Sequence, residues 1–182
     1  MFKNSRYKVW DYSTSNIKAF KELGIEAELN SLSYSSTLKF NLPSVEKDID
    51  VLFYGTVTPY RRKIINNLRV NGLKVYVVTD VTWGVYYNLL NSLINRSKIV
   101  LVLNTFKKEG EWKISRLGRL LANEVFVVVE RNGGEEEGGF EDGAGWCEEE
   151  WVECVGKWLG DEEGRGRVGM EGGRIWRGEY NE

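Results

Sequence analysis

Asp50-Val-Leu-Phe-Tyr-Gly-Thr-Val-Thr-Pro-Tyr-Arg-Arg-Lys63 reads as a buried strand, a glycine turn and the first turn of a helix. Residues 51 to 54 are a short apolar run of the kind a parallel strand needs when both its faces are covered. Gly55 permits a close turn or the approach of a ligand to the backbone. Thr58 stands where a helix cap is needed and Pro59 at the first helical position. The amides at that end carry partial positive charge, so Arg61, Arg62 and Lys63 are badly placed unless an anion binds there.

Outward from this stretch the order is regular. Ile64, Ile65 and Leu68 form the apolar stripe of the helix, Gly72 ends it, and residues 74 to 79 read as a second strand. Tyr86, Leu89, Leu90, Leu93 and Ile94 share one helical face, and residues 98 to 103 make a third buried strand. A helix over residues 112 to 122 presents Ile114, Leu117 and Leu121 on one side, and residues 126 to 129 follow as a fourth strand. Strand alternating with helix at this spacing predicts an α/β fold: a Rossmann-like parallel sheet with helices on both faces and right-handed crossovers.

The two ends differ from this core. Residues 16 to 23 look helical and stop at Gly24, between short strands expected at 7 to 10 and 27 to 33. Cys147, Trp151, Cys154, Val155, Trp158 and Leu159 repeat at helical spacing, which predicts a helix packed on the core. If both cysteines lie in that helix, their side chains stand about 10 Å apart, too far for a disulfide.

The net charge of -2 hides a division: residues 131 to 182 hold 15 acidic and 6 basic side chains, while the first 130 hold 12 acidic and 19 basic. Fourteen of the 20 glycines also follow position 130, many in runs with glutamate, so residues 132 to 145 are expected to form a flexible loop. The expected organisation is an amino-terminal segment at 1 to 45, a core at 46 to 131, this loop, and a helical segment at 146 to 182. With no histidine and two cysteines, histidine catalysis and the usual zinc sites are excluded. No apolar run spans a bilayer and no signal core is present, so a cytoplasmic location is the default expectation. The basic residues are too scattered to point to a nucleic-acid partner.

Ligands of an open parallel sheet collect beyond the carboxyl ends of its strands. Those ends are residues 55 to 62, 80 to 84, 104 to 111 and 130 to 134. Arg61 and Arg62 suit a diphosphate, since guanidinium groups pair with phosphate oxygens and stay charged. Gly55-Thr-Val-Thr58 matches neither a Walker loop nor a Gly-x-Gly-x-x-Gly fingerprint, which sets aside P-loop NTPases and ordinary nicotinamide dehydrogenases.

Four segments carry a family resemblance in order: Val9-Trp-Asp-Tyr-Ser-Thr-Ser-Asn-Ile17; Asp50-Val-Leu-Phe-Tyr-Gly55 with Arg61-Arg62; Ser97-Lys-Ile-Val-Leu101; and Ser115-Arg-Leu-Gly-Arg-Leu-Leu-Ala-Asn123 with Phe126-Val-Val128. Together they resemble the carboxyl-terminal half of GT-B glycosyltransferases, of the group 1 type found in bacteria and large DNA viruses. The resemblance implies binding of a nucleoside diphosphate sugar without a cofactor or metal, with glycosyl transfer to an unknown acceptor. By analogy Gly55, Thr56, Arg61 and Arg62 take the diphosphate, Asn104 and the start of the next helix with Arg116 face the sugar, and Glu130 lies on the ribose or phosphate side.

Retaining relatives place two glutamates eight positions apart, a pair that here begins at Glu111 and ends at Arg119. Glu111 is thus the candidate catalytic carboxylate, and Lys113 or Arg119 can offset the charge of a leaving diphosphate. The amino-terminal half of a GT-B enzyme is missing or reduced to residues 1 to 45, and is expected as a separate partner. The alternative is a catalytically degenerate or truncated half that acts as a nucleotide-binding or interaction module.

Overall fold

The computed structural model describes residues 7 to 79, 86 to 105, 114 to 131 and 135 to 179. Its centre is a five-stranded, wholly parallel sheet in the order β4-β3-β5-β6-β7. The strands are β3 (Ile49–Tyr54), β4 (Val75–Val78), β5 (Ser97–Val102), β6 (Val127–Glu130) and β7 (Gly145–Cys147). The helices are α2 (Pro59–Val70), α3 (Tyr86–Asn95), α4 (Ile114–Ala122), α5 (Trp151–Gly160) and α6 (Glu162–Glu179). Four of these strands match the sequence reading, and β7 is new.

The apolar runs bury in both directions, as their lack of alternation requires. Val51, Phe53, Ile99, Leu101 and Val128 meet α2 and α5 on one face. Leu52, Val100, Val102, Val127 and Val129 meet α3, α4 and α6 on the other. Each such side chain, taken fully out of water, contributes roughly 1.5–3 kcal/mol, and this double coverage is what holds the sheet against chain entropy.

Ahead of the sheet, β1 (Val9–Asp11), α1 (Thr14–Glu22) and β2 (Ala27–Leu29) form a separate parallel β-α-β unit, with β1 paired only to β2 among the described residues. Ser13 caps α1, accepting from the Asn16 amide at 3.4 Å. The unit reaches the main core through Tyr12, and the following segment through Tyr34, Leu38 and Phe40.

The carboxyl-terminal region departs from expectation in two ways. Within the stretch expected to be a loop, Glu135–Gly143 form a 3-10 segment and Gly145 opens β7. Phe140 supplies the anchor: it is buried, with its ring 6.3 Å from that of Trp176. Cys147 then lies on β7 rather than in the helix, and α5 begins at Trp151. The expectation of two unlinked cysteines is therefore overturned. Their Cα atoms stand 6.2 Å apart and a disulfide joins Cys147 to Cys154. None of the described helices is long and apolar enough to cross a membrane.

Candidate functional site

Gly55 leaves β3 with φ of 119°, a conformation that disfavours any side chain. Thr58 caps α2: its hydroxyl accepts from the Arg61 amide at 3.3 Å and donates to the Thr105 carbonyl at 2.8 Å. The cap thus ties the turn after β3 to the end of β5.

Arg61 extends the same tie. It is 4% exposed, and its guanidinium donates to the carbonyls of Asn104 and Leu103 at 2.8 Å each and of Thr56 at 2.9 Å, and to the Thr105 hydroxyl at 3.2 Å. Its carbon lies 5.6 Å from the Phe53 ring centre. A guanidinium so engaged is a brace for carbonyls at the sheet end, in place of the phosphate clamp expected from sequence. The signal was legible, because Arg61 shares the i, i+3, i+4, i+7 face of Ile64, Ile65 and Leu68. Arg62, one position on, is exposed.

Glu130, 5% exposed at the end of β6, completes the brace. One carboxylate oxygen accepts from the Asn104 amide at 2.7 Å and the other from the Tyr60 hydroxyl. Burial and then this carboxylate push the Tyr60 phenol above the ordinary tyrosine range, so it remains a donor. Asn104, itself 2% exposed, is consequently held by Glu130 at its N–H and by Arg61 at its carbonyl. Arg61 and Glu130, both expected at the ligand, thus fix the backbone of Asn104 just beyond β5.

The cationic opening lies beside this brace. A Cβ on Gly55 would stand 3.1 Å from Arg116 Nη2, so the guanidinium rests directly on the glycine turn. Arg116 also lies 4.9 Å over the Tyr54 ring, and its Nη1 is buried without a hydrogen-bond partner among the described residues. Arg119, one helical turn on, donates to Asn91 Oδ1 at 2.6 Å and lies 5.4 Å over the Phe40 ring. Together with Lys39 and Ser115 these residues line a pocket of about 620 Å³. Its described lining holds three cations and no carboxylate.

Lys39 and Phe40 were not named by sequence reasoning, because they come from a distant segment. Asn123 holds that segment in place: its Oδ1 accepts from the Phe40 amide at 2.5 Å and its Nδ2 donates to the Leu38 carbonyl at 2.8 Å. Asn91 and Tyr54 gave no local signal either. Thr56 is exposed beside the turn, while Glu111 lies outside the described residues.

The chain superposes on TarM, a GT-B glycosyltransferase, with a TM-score of 0.61 over 96% of its length at 11% identity. Its fold is that of a GT-B half. The chain spans 41% of the length of TarM. It is also 31% identical over 103 residues to the uncharacterized protein L138 of Acanthamoeba polyphaga mimivirus, a stretch covering 54% of the chain and 11% of that relative. No family model matches the sequence.

Proposed function

We propose that this GT-B half binds a nucleoside diphosphate sugar in the pocket between Tyr54 and α4, beside the Gly55 turn, and that the sugar is transferred to an acceptor presented by a second, amino-terminal-type half. The observation that carries the reading is Arg116: a buried guanidinium nitrogen without a partner among the described residues, set against a glycine turn at the carboxyl end of β3. An unsatisfied buried cationic donor is costly, and an anion in the pocket removes that cost.

Within this reading the backbone of Gly55 and Thr56, with Arg116 and the exposed Arg62, meets the diphosphate. Arg119 and Asn104 lie toward the rest of the donor, and Glu111 is the carboxylate assigned to the sugar. Arg61 and Glu130 act as positioning residues, since they hold the backbone of Asn104. Charge on the leaving diphosphate is offset by guanidinium groups and the amino end of α2.

A second reading, a catalytically degenerate half that binds nucleotide or a protein, is favoured by Arg119. It stands where the resemblance calls for a carboxylate, and its guanidinium is held by Asn91 and Phe40. Thermal unfolding with UDP, GDP and their sugar conjugates tests the donor site. The expected outcome is a rise in Tm with one of them, lost in Arg116→Gln and kept in Lys74→Gln. No rise with any nucleotide overturns donor binding. A rise without sugar transfer, even when an acceptor half is added, selects the second reading.

A further inference from the structure

At the opposite flank of the sheet from β4, a groove of about 840 Å³ lies between α6 and the β7 edge. That volume falls within the range of small-molecule clefts. Two indoles, Trp146 from β7 and Trp158 from α5, form its aromatic part. Gly145 lets Trp158 approach, since a Cβ there would stand 2.8 Å from the indole nitrogen. The ring packs against Phe126 with centroids 4.8 Å apart, which sets its orientation.

The charged part is balanced. Arg131 grips Glu141 through two bonds of 2.6 and 3.2 Å, and Arg174 grips Glu171 in the same bidentate way. Arg167 and Asp142 add one charge of each sign to the lining. A ligand of net charge would meet repulsion from half of these groups. Each paired carboxylate still has lone pairs beyond those its arginine uses, and these suit hydroxyl donors. The Trp158 indole N–H makes no hydrogen bond among the described residues, which leaves it a donor for a ligand hydroxyl.

We propose that this groove binds a neutral oligosaccharide. A pyranose ring offers an apolar C–H face for an indole and an edge of hydroxyls that both donate and accept, which matches aromatic walls beside paired opposite charges. Apolar ligands would leave the charged groups unsatisfied, and acidic or basic ones would face like charge. The site shares no lining residue with the pocket at Arg116. Arg131, which follows β6, is its closest approach in sequence to the ligand-binding end of the sheet.

Isothermal titration of the full chain with neutral glucan, chitin and mannan oligosaccharides, in the absence of nucleotide, tests this inference independently of donor binding. Saturable binding to at least one is expected, insensitive to salt, and weakened about fivefold by Arg167→Ala or Asp142→Ala, the loss of roughly one hydrogen bond. Both positions are exposed, so these variants keep the fold; Trp158→Phe gives a third reading through loss of its N–H. Absence of binding to every oligosaccharide overturns the proposal. Binding unchanged in all three variants, or capture of a charged peptide in place of sugar, overturns it as well.

Discussion

Arg61 and Arg62 are adjacent in sequence and opposite in circumstance, and the difference is measurable. Arg61 satisfies two carbonyls and a hydroxyl beyond β5 and one carbonyl beyond β3, whereas Arg62 is exposed. Arg61→Ala is expected to lower the free energy of unfolding by about 2–4 kcal/mol, because buried acceptors lose a charged donor. Arg61→Lys restores only part of this, since an ammonium is a point donor and cannot fork to four acceptors. Arg62→Ala stays within about 0.5 kcal/mol of the parent. Equal midpoints for the two alanine variants in urea denaturation would refute the brace. The sequence placed both arginines at the right strand end, yet charge and position alone could not say which one turns inward. The helical period could, because position 61 falls on the apolar stripe of α2.

Among the elements, α6 shows what hydrophobic periodicity leaves out. Its apolar residues are few, and its contact with the α4–β6 turn is made by glycines together with the Arg177–Glu124 ion pair. A Cβ at Gly169 would stand 2.6 Å from the Glu124 carbonyl, and one at Gly172 would stand 2.5 Å from the Gly143 carbonyl. Gly169→Ala is therefore expected to destabilise by about 1–3 kcal/mol, since backbone must move. Gly166 is on the same helix with nothing within 4 Å, and Gly166→Ala is expected to stabilise by about 0.4–1 kcal/mol. The two signs, read from thermal unfolding, separate packing from helix propensity. The strands were legible because continuous apolar runs have few alternatives. The helical segment after residue 146 was expected too, but neither its packing through glycines nor β7 was, since a close backbone approach leaves no side-chain pattern.

The disulfide belongs to the same scale, because Cys147 and Cys154 join an edge strand to the helix that follows it. Closing so short a loop in the unfolded chain corresponds to about 2.5 kcal/mol. Cys154→Ser, or reduction of the parent, is expected to cost that amount, with no free thiol alkylated before reduction. Two free thiols in the native protein would refute the bond.

For the whole molecule, the contrast is between a sheet covered on both faces and a β-α-β unit that is not. None of the residues of α1 is buried, and Trp10, Leu23 and Leu29 are each about half exposed or more. Two parallel strands of three residues cannot sustain an independent core. If a second GT-B half completes the protein, this unit is where its sheet would continue, and Trp10 and Leu29 are what it would cover. In the chain alone, amides of β1, α1 and β2 are expected to exchange with deuterium far faster than those of β3 and β5, whose opening approaches global unfolding. The unit meets the main core chiefly through Tyr12, so Tyr12→Ala should speed its exchange further and leave β3 and β5 unchanged. Equal protection in both regions would show that the unit is already covered, by a contact of its own or by a second copy. Dilution distinguishes these, because only the second loses protection as the protein concentration falls.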